Sequence, residues 1–103
     1  MPYVIETWDK PDSLALRMRV RPEHIEFLKA NVASLLGAGA KLSDDGETML
    51  GTIYIVDVET RAEAEAFVAG DPFTKNGLPE RIEITRWRKA FFNFENNMHN
   101  LKL

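Results

Sequence analysis

Apolar and polar positions divide this chain into short elements. Residues 3–8, Tyr-Val-Ile-Glu-Thr-Trp, are mostly β-branched or aromatic and run into the turn-forming cluster Asp9-Lys10-Pro11-Asp12-Ser13, so a first strand is predicted to end near Trp8. Over residues 14–21, Leu14, Leu16, Met18 and Val20 alternate with Ala15, Arg17, Arg19 and Arg21, which is the period of a strand. The helix propensity of Leu, Ala, Arg and Met, with Asp12 or Ser13 as a cap, decides for a helix instead. Pro22 fits the first position of a new or kinked helical segment, where a helix start leaves its missing N–H unused. Ile25, Leu28, Val32, Leu35 and Leu36 then recur at helical spacing and predict the longest helix, closed by Gly37 and Gly39.

A short strand over 38–42 is expected to lead into the Ser43-Asp44-Asp45-Gly46 turn. Residues 49–58 are apolar on both alternating faces, as in a strand covered on both sides. Thr60 and Glu63 have the spacing of a capping box and open a helix through Ala62, Ala66 and Phe67 that stops at Gly70. Residues 71–79 read as a structured loop with one helical turn. Strand character returns over 82–92, and the segment 93–103 is a polar tail. The order β-α-β-β-α-β predicts an α+β, ferredoxin-like sandwich: one domain over 1–92, with both helices on one face of a four-stranded sheet. Tyr54, Val56 and Val58 point opposite to Ile53 and Ile55, so one apolar face is left for a partner, and a homodimer is the expected assembly.

Composition narrows the function classes. With 103 residues there is room for one core, and 45% hydrophobic with 28% charged residues marks an ordinary globular chain. A formal net charge of −3 argues against a nucleic-acid partner, and no apolar run is long enough to span a membrane. The absence of cysteine removes disulfide and thiol chemistry and is compatible with the cytoplasm, which the lack of an export signal also favours. Two histidines 75 positions apart give no metal-ligand spacing, and neither a phosphate loop nor a nucleophile motif is present, so no cofactor is expected.

The residues that remain for chemistry are few. If the helix runs unbroken through Pro22, Arg17, Arg21, His24 and Leu28 share a face. Arg17 and Arg21 would then suit a substrate carboxylate, or simply form a solvated face. His24 reads as a proton-transfer group near a helix start, or as a histidine satisfied by a backbone carbonyl at the core margin. Asp71 is by spacing an Asx-Pro turn. Asp45 belongs to a hairpin turn and is the reserve partner for His24. Trp8, Tyr54, Phe73 and Trp87 are candidates for an aromatic pocket, although strand and loop aromatics are usually core.

The string Arg17-x-x-x-Arg21-x-x-His24-x-x-x-Leu28, the Gly39…Asp44-Asp45-Gly46 turn, Gly51-Thr52, and Asp71-Pro72-Phe73 with Gly77 together resemble the YCII-related family over about residues 3–90. The resemblance implies a dimeric α/β barrel and a retained His and Asp that have been read as catalytic; here these are His24 and Asp71. Where members often carry Gly-Pro after the long helix this chain has Gly39-Ala40, and the segment after about Ala90 has no counterpart. The expected function is cofactor-independent isomerase, lyase or hydrolase chemistry on a small molecule, a carboxylate being the candidate class. His24 and Asp71 would be catalytic, and Arg17, Arg21, Phe73 and Asp45 would hold the substrate. The alternative is a non-catalytic module that binds a small molecule or acts as a dimeric scaffold.

Overall fold

The computed structural model describes residues 1–98. Strand β1 spans Tyr3–Asp9, helix α1 Leu14–Ala30, strand β2 Leu35–Leu42, strand β3 Met49–Val56, helix α2 Arg61–Gly70, the short helix α3 Pro72–Lys75 and strand β4 Pro79–Arg86. The sheet order is β2-β3-β1-β4 with every pair antiparallel, which is the ferredoxin-like arrangement.

Alternation along the strands sorts the sheet into two faces. Tyr3, Ile5 and Thr7 of β1 lie opposite Val56, Tyr54 and Thr52 of β3, and all six are buried beneath the helices. Tyr3, Ile5, Tyr54 and Val56 form the main core with Ala64 and Val68 of α2. A second cluster joins Val20 of α1 to Phe73 and Leu78. Between the two clusters sit the buried polar side chains Arg17, His24 and Asp71. Gly51 is required where β3 passes β1, because a Cβ there would lie 1.9 Å from the Thr7 carbonyl oxygen.

The helix over 14–21 forms despite its alternating pattern. Its buried positions are Arg17, Val20 and His24, at helical spacing, whereas Leu14 and Met18 are 60% and 50% exposed. Pro22 does not start a segment but lies inside α1. It is exposed, as is Met18, whose carbonyl it leaves without a helical partner, so the unpaired group faces the wet side. The predicted long helix ends early, at Ala30, where Asn31 caps it by donating from Nδ2 to the Phe27 carbonyl at 2.8 Å. After one 3-10 turn over Val32–Ser34, Leu35 and Leu36 belong to β2, and Leu35 packs on the core from a strand. The last predicted strand is also shorter. It stops at Arg86, and Phe91–Phe92 pairs with Glu95–Asn96 in a separate hairpin turned by Asn93 and Phe94, both at positive φ. Of the predicted tail, residues 99–103 lie outside the described residues.

Thr60 caps α2, its hydroxyl oxygen accepting from the Glu63 N–H at 3.2 Å. The Glu63 carboxylate accepts from that hydroxyl rather than from the cap's backbone. Among the described residues no helix is long and apolar enough to cross a membrane.

Candidate functional site

Asp71 stands at the joint between two helices, closing α2 and opening α3. Pro72 follows as the first residue of α3, and Asp71 Oδ1 accepts from the Phe73 N–H at 2.8 Å, which is the Asx-Pro turn expected from its spacing. The carboxylate does more than cap. It is fully buried, Tyr54 donates its hydroxyl to Oδ2 at 2.5 Å, and His24 Nδ1 lies 2.8 Å from both oxygens.

The donor inventory fixes the imidazole. An ionised carboxylate only accepts, so its third partner, Nδ1, contributes N–H. In the neutral ring the lone pair then resides on Nε2, which has no hydrogen-bond partner among the described residues. The ring is held on its flat side as well, stacked on Phe73 with centroids 3.9 Å apart and planes at 13°. His24 is thus oriented through one nitrogen and presents the other. It does so from the middle of α1, because that helix runs through Pro22; the expected place near a helix start does not hold.

Burial holds the Tyr54 phenol well above its usual range. The Asp71 charge and the hydrogen bond that needs the phenolic proton push the same way, and the Arg17 charge partly opposes them. Tyr54 therefore stays a donor to Asp71 at neutral pH.

Arg17 is buried and committed: Nη1 donates to Asp9 Oδ2 at 2.7 Å, and Nη2 to the Gly51 carbonyl and the Thr52 hydroxyl, each at 3.2 Å. Its guanidinium carbon lies 4.8 Å from the Phe73 ring centre. Arg21, one turn on, is exposed and has no carboxylate partner among the described residues. Both arginines line a cavity of about 200 Å³ with His24, Phe73, Ala38 and Ala40. The small side chains of Ala38 and Ala40 leave the volume open, since their register places them opposite Tyr54 and Thr52 on the helix-covered face.

The structure therefore brings His24, Asp71, Arg17, Arg21 and Phe73 together. It does not bring Asp45, which stays in the β2–β3 turn, where its Oδ1 accepts from the Ser43 hydroxyl at 2.6 Å and the Glu47 N–H at 3.0 Å. Those bonds lower its pKa, as befits a turn-stabilising carboxylate, and Asp45 does not line the cavity. Of the four aromatic candidates, Phe73 and Tyr54 belong to the site. Trp8 lies on the opposite face between Lys41 and Arg81, and Trp87 packs on Phe92. From the sequence Asp9 reads only as a turn residue and Thr52 only as part of the Gly51-Thr52 string, with no link to Arg17, because only folding brings them there, across 8 and 35 positions.

The YCII-related domain model matches residues 1–88. Protein YciI of Escherichia coli O6:H1 is 32% identical over 98 residues, spanning 88% of this chain and all of that protein. An uncharacterized protein of Haemophilus influenzae is 31% identical over the same length. Among solved structures, 5-chloro-2-hydroxyhydroquinone dehydrochlorinase (TftG) of Burkholderia phenoliruptrix AC1100, in complex with 2,5-dihydroxybenzoquinone, matches with a TM-score of 0.79 at 32% identity, covering 85% of this chain and 94% of that one. A protein of Agrobacterium tumefaciens at 21% identity and a TM-score of 0.53, covering 92% of this chain and 100% of that one, shares the fold. With the ferredoxin-like sheet and a match over nearly its whole length, the chain belongs to the YCII-related family, whose fold is that of the dimeric α/β barrel proteins.

Proposed function

We propose that the protein is a cytoplasmic, homodimeric, cofactor-independent enzyme that moves a proton on a small hydroxylated ring compound, with His24 as general base and Asp71 as its orienter. The observation that carries this reading is the 2.8 Å contact between His24 Nδ1 and the buried Asp71 carboxylate, which leaves Nε2 to a cavity the same imidazole lines. A base held by a third group is the recurring arrangement of proton-transfer sites.

In this reading Nε2 takes a proton from an O–H or C–H of the ligand, and the imidazolium formed is stabilised by Asp71. The proton returns to another ligand atom or to a leaving group. Arg21, free at the cavity, meets the oxyanion or carboxylate of the ligand. Arg17 chiefly holds the wall, because three of its five N–H donors are committed to Asp9, Gly51 and Thr52. Support for a ring substrate comes from the dehydrochlorinase, solved with 2,5-dihydroxybenzoquinone.

The test pairs binding with turnover, using 2,5-dihydroxybenzoquinone in thermal-shift measurements and 5-chloro-2-hydroxyhydroquinone in a chloride-release assay. The wild type is expected to bind the first and turn over the second or a related hydroxylated ring, with His24→Ala slower by about 10²–10⁴-fold. A His24→Ala variant with undiminished turnover would end the proposal. Saturable binding with no turnover across a panel of hydroxylated rings would replace it with a binding module.

A further inference from the structure

A second cavity, of about 340 Å³, opens on the other side of Arg17 and is independent of the acid–base reading of His24. Its walls come from the β1–α1 turn, Asp9 to Leu14, and from the start of β3, Thr48 to Leu50; Arg17 and Met49 are shared with the His24 cavity. We propose that this cavity binds a small ligand carrying an O–H or N–H donor next to an acceptor oxygen, as a vicinal diol does, with Asp9 as the acceptor of the donor.

The Asp9 side chain is only 7% exposed, and Arg17 occupies one of its oxygens, Oδ2. The other oxygen, Oδ1, is buried with no hydrogen-bond partner, one of two such side-chain atoms among the described residues. A buried carboxylate oxygen left unpaired costs about 1–3 kcal/mol or more, so such an atom calls for a donor. The fold supplies none, and the residue carrying that atom lines a cavity large enough to admit one.

The same cavity offers the complementary half. Helix α1 begins at Leu14, and Ser13 makes no side-chain cap to it; its hydroxyl is turned to the Lys10 carbonyl, to which it donates at 2.6 Å. No acidic side chain occupies the first turn either, so the opening N–H groups remain donors for a ligand oxygen. Lys10 adds a cation at the wall. A carboxylate ligand would satisfy the helix start and be repelled by Asp9, and a bare ammonium would do the reverse. Adjacent hydroxyls satisfy both. The shared Arg17 wall ties this site to the His24 cavity, since the guanidinium whose Nη1 holds Asp9 also lies over Phe73.

The experiment uses the full, isotopically labelled chain and two probes of matched shape, catechol and its dimethyl ether veratrole, followed by amide NMR. Catechol is expected to shift the amides of Asp9, Ser13, Leu14, Thr48 and Leu50, and veratrole, which has lost its donors, to leave them in place. Asp9→Asn puts a donor where the free acceptor stood and should weaken catechol binding at these amides at least tenfold. Leu50→Trp, which fills the cavity from its exposed rim without touching the Asp9–Arg17 pair, should weaken it similarly and decides the matter if Asp9→Asn does not fold. His24→Ala should leave these shifts unchanged while altering any response of Ala38 and Ala40, so failure here and failure of the proposed reaction are separable. Equal shifts by veratrole, or undiminished catechol binding in a folded Asp9→Asn or Leu50→Trp variant, would overturn the proposal.

Discussion

The two faces of the one sheet solve the problem of polar groups in opposite ways. Under the helices the buried ionisable side chains are held by designated partners, one Asp9 oxygen excepted: Asp71 receives Tyr54, His24 and the Phe73 amide, and Arg17 is divided among Asp9, Gly51 and Thr52. On the other face Trp8 lies between Lys41 and Arg81 at 3.7 and 4.2 Å, the half-buried Lys41 pairs with the more exposed Glu6, and Ile53 is 39% exposed beside Gly37 and Gly39, whose missing side chains would meet nothing within 4 Å. The contrast separates structure built to hold a geometry from structure left open to receive a surface. Loss of one partner on the covered face strands a buried group, whereas on the open face water takes its place.

The largest effect is expected at Asp71. Asp71→Ala leaves a buried phenol, a buried amide and the imidazole without their acceptor at once. Breaking such a network costs about 3–5 kcal/mol. Urea denaturation followed by tryptophan fluorescence would measure it, and a loss below about 1 kcal/mol would show that the three donors find other partners. The matching truncation on the open face, Lys41→Ala, should cost only about 1 kcal/mol, because the Glu6 carboxylate it leaves behind is open to water.

The order of elements and the sorting of the sheet into faces were legible because they depend on local period. Tyr54 and Val56 against Ile53 and Ile55 could be read directly from alternation. The boundaries failed where two patterns overlapped. Leu28, Val32 and Leu35 have helical spacing, yet Asn31 caps the helix and Leu35 reaches the same core from a strand. Leu14 and Met18 are apolar members of an alternating pattern and are exposed, because in the helix a buried arginine takes the inward position. Spacing never named Asp71 as more than a turn residue. Its carboxylate is 47 positions from His24, and only resemblance to a family could bring the two together before the fold did. Asp9 reads as a turn residue and nothing more, since its significance lies in an oxygen that nothing reaches.

The next effect tests whether the open face receives a second copy. Ile53→Lys places a charge in the middle of that face, where Glu6 of β1 and Gly39 of β2 flank it and Ile55 follows on the same strand. If two sheets pack there, the dimer dissociation constant should rise about 100-fold, which at about 1.4 kcal/mol per decade is roughly 2.8 kcal/mol. Sedimentation velocity across a concentration series would detect it. The monomer itself should be little changed, within about 0.5 kcal/mol, because the position is solvated without a partner. An unaltered dimer would move the association surface elsewhere, and a wild type that sediments as a monomer would remove the homodimer from the proposal.

The smaller effect on the covered face is its most diagnostic. Tyr54→Phe deletes one donor to Asp71 and should cost about 1.5 kcal/mol at neutral pH, where the ranges for neutral and charge-assisted hydrogen bonds meet. The difference should depend on pH in a definite direction. Burial and the Asp71 charge raise the folded-state pKa of Tyr54 above its unfolded value of about 10. The contribution is therefore fully present below pH 10. Above it the unfolded chain releases a proton that the native protein keeps, and stability falls by up to about 1.4 kcal/mol per pH unit. The Tyr54→Phe variant has no phenolic proton to lose at this position, so the wild-type advantage should narrow from pH 10 upward and close near about pH 11. Because every other group titrates in both proteins, subtraction isolates this one, and a difference that stays constant to pH 11 would mean that the phenol ionises in the folded state as readily as in the unfolded.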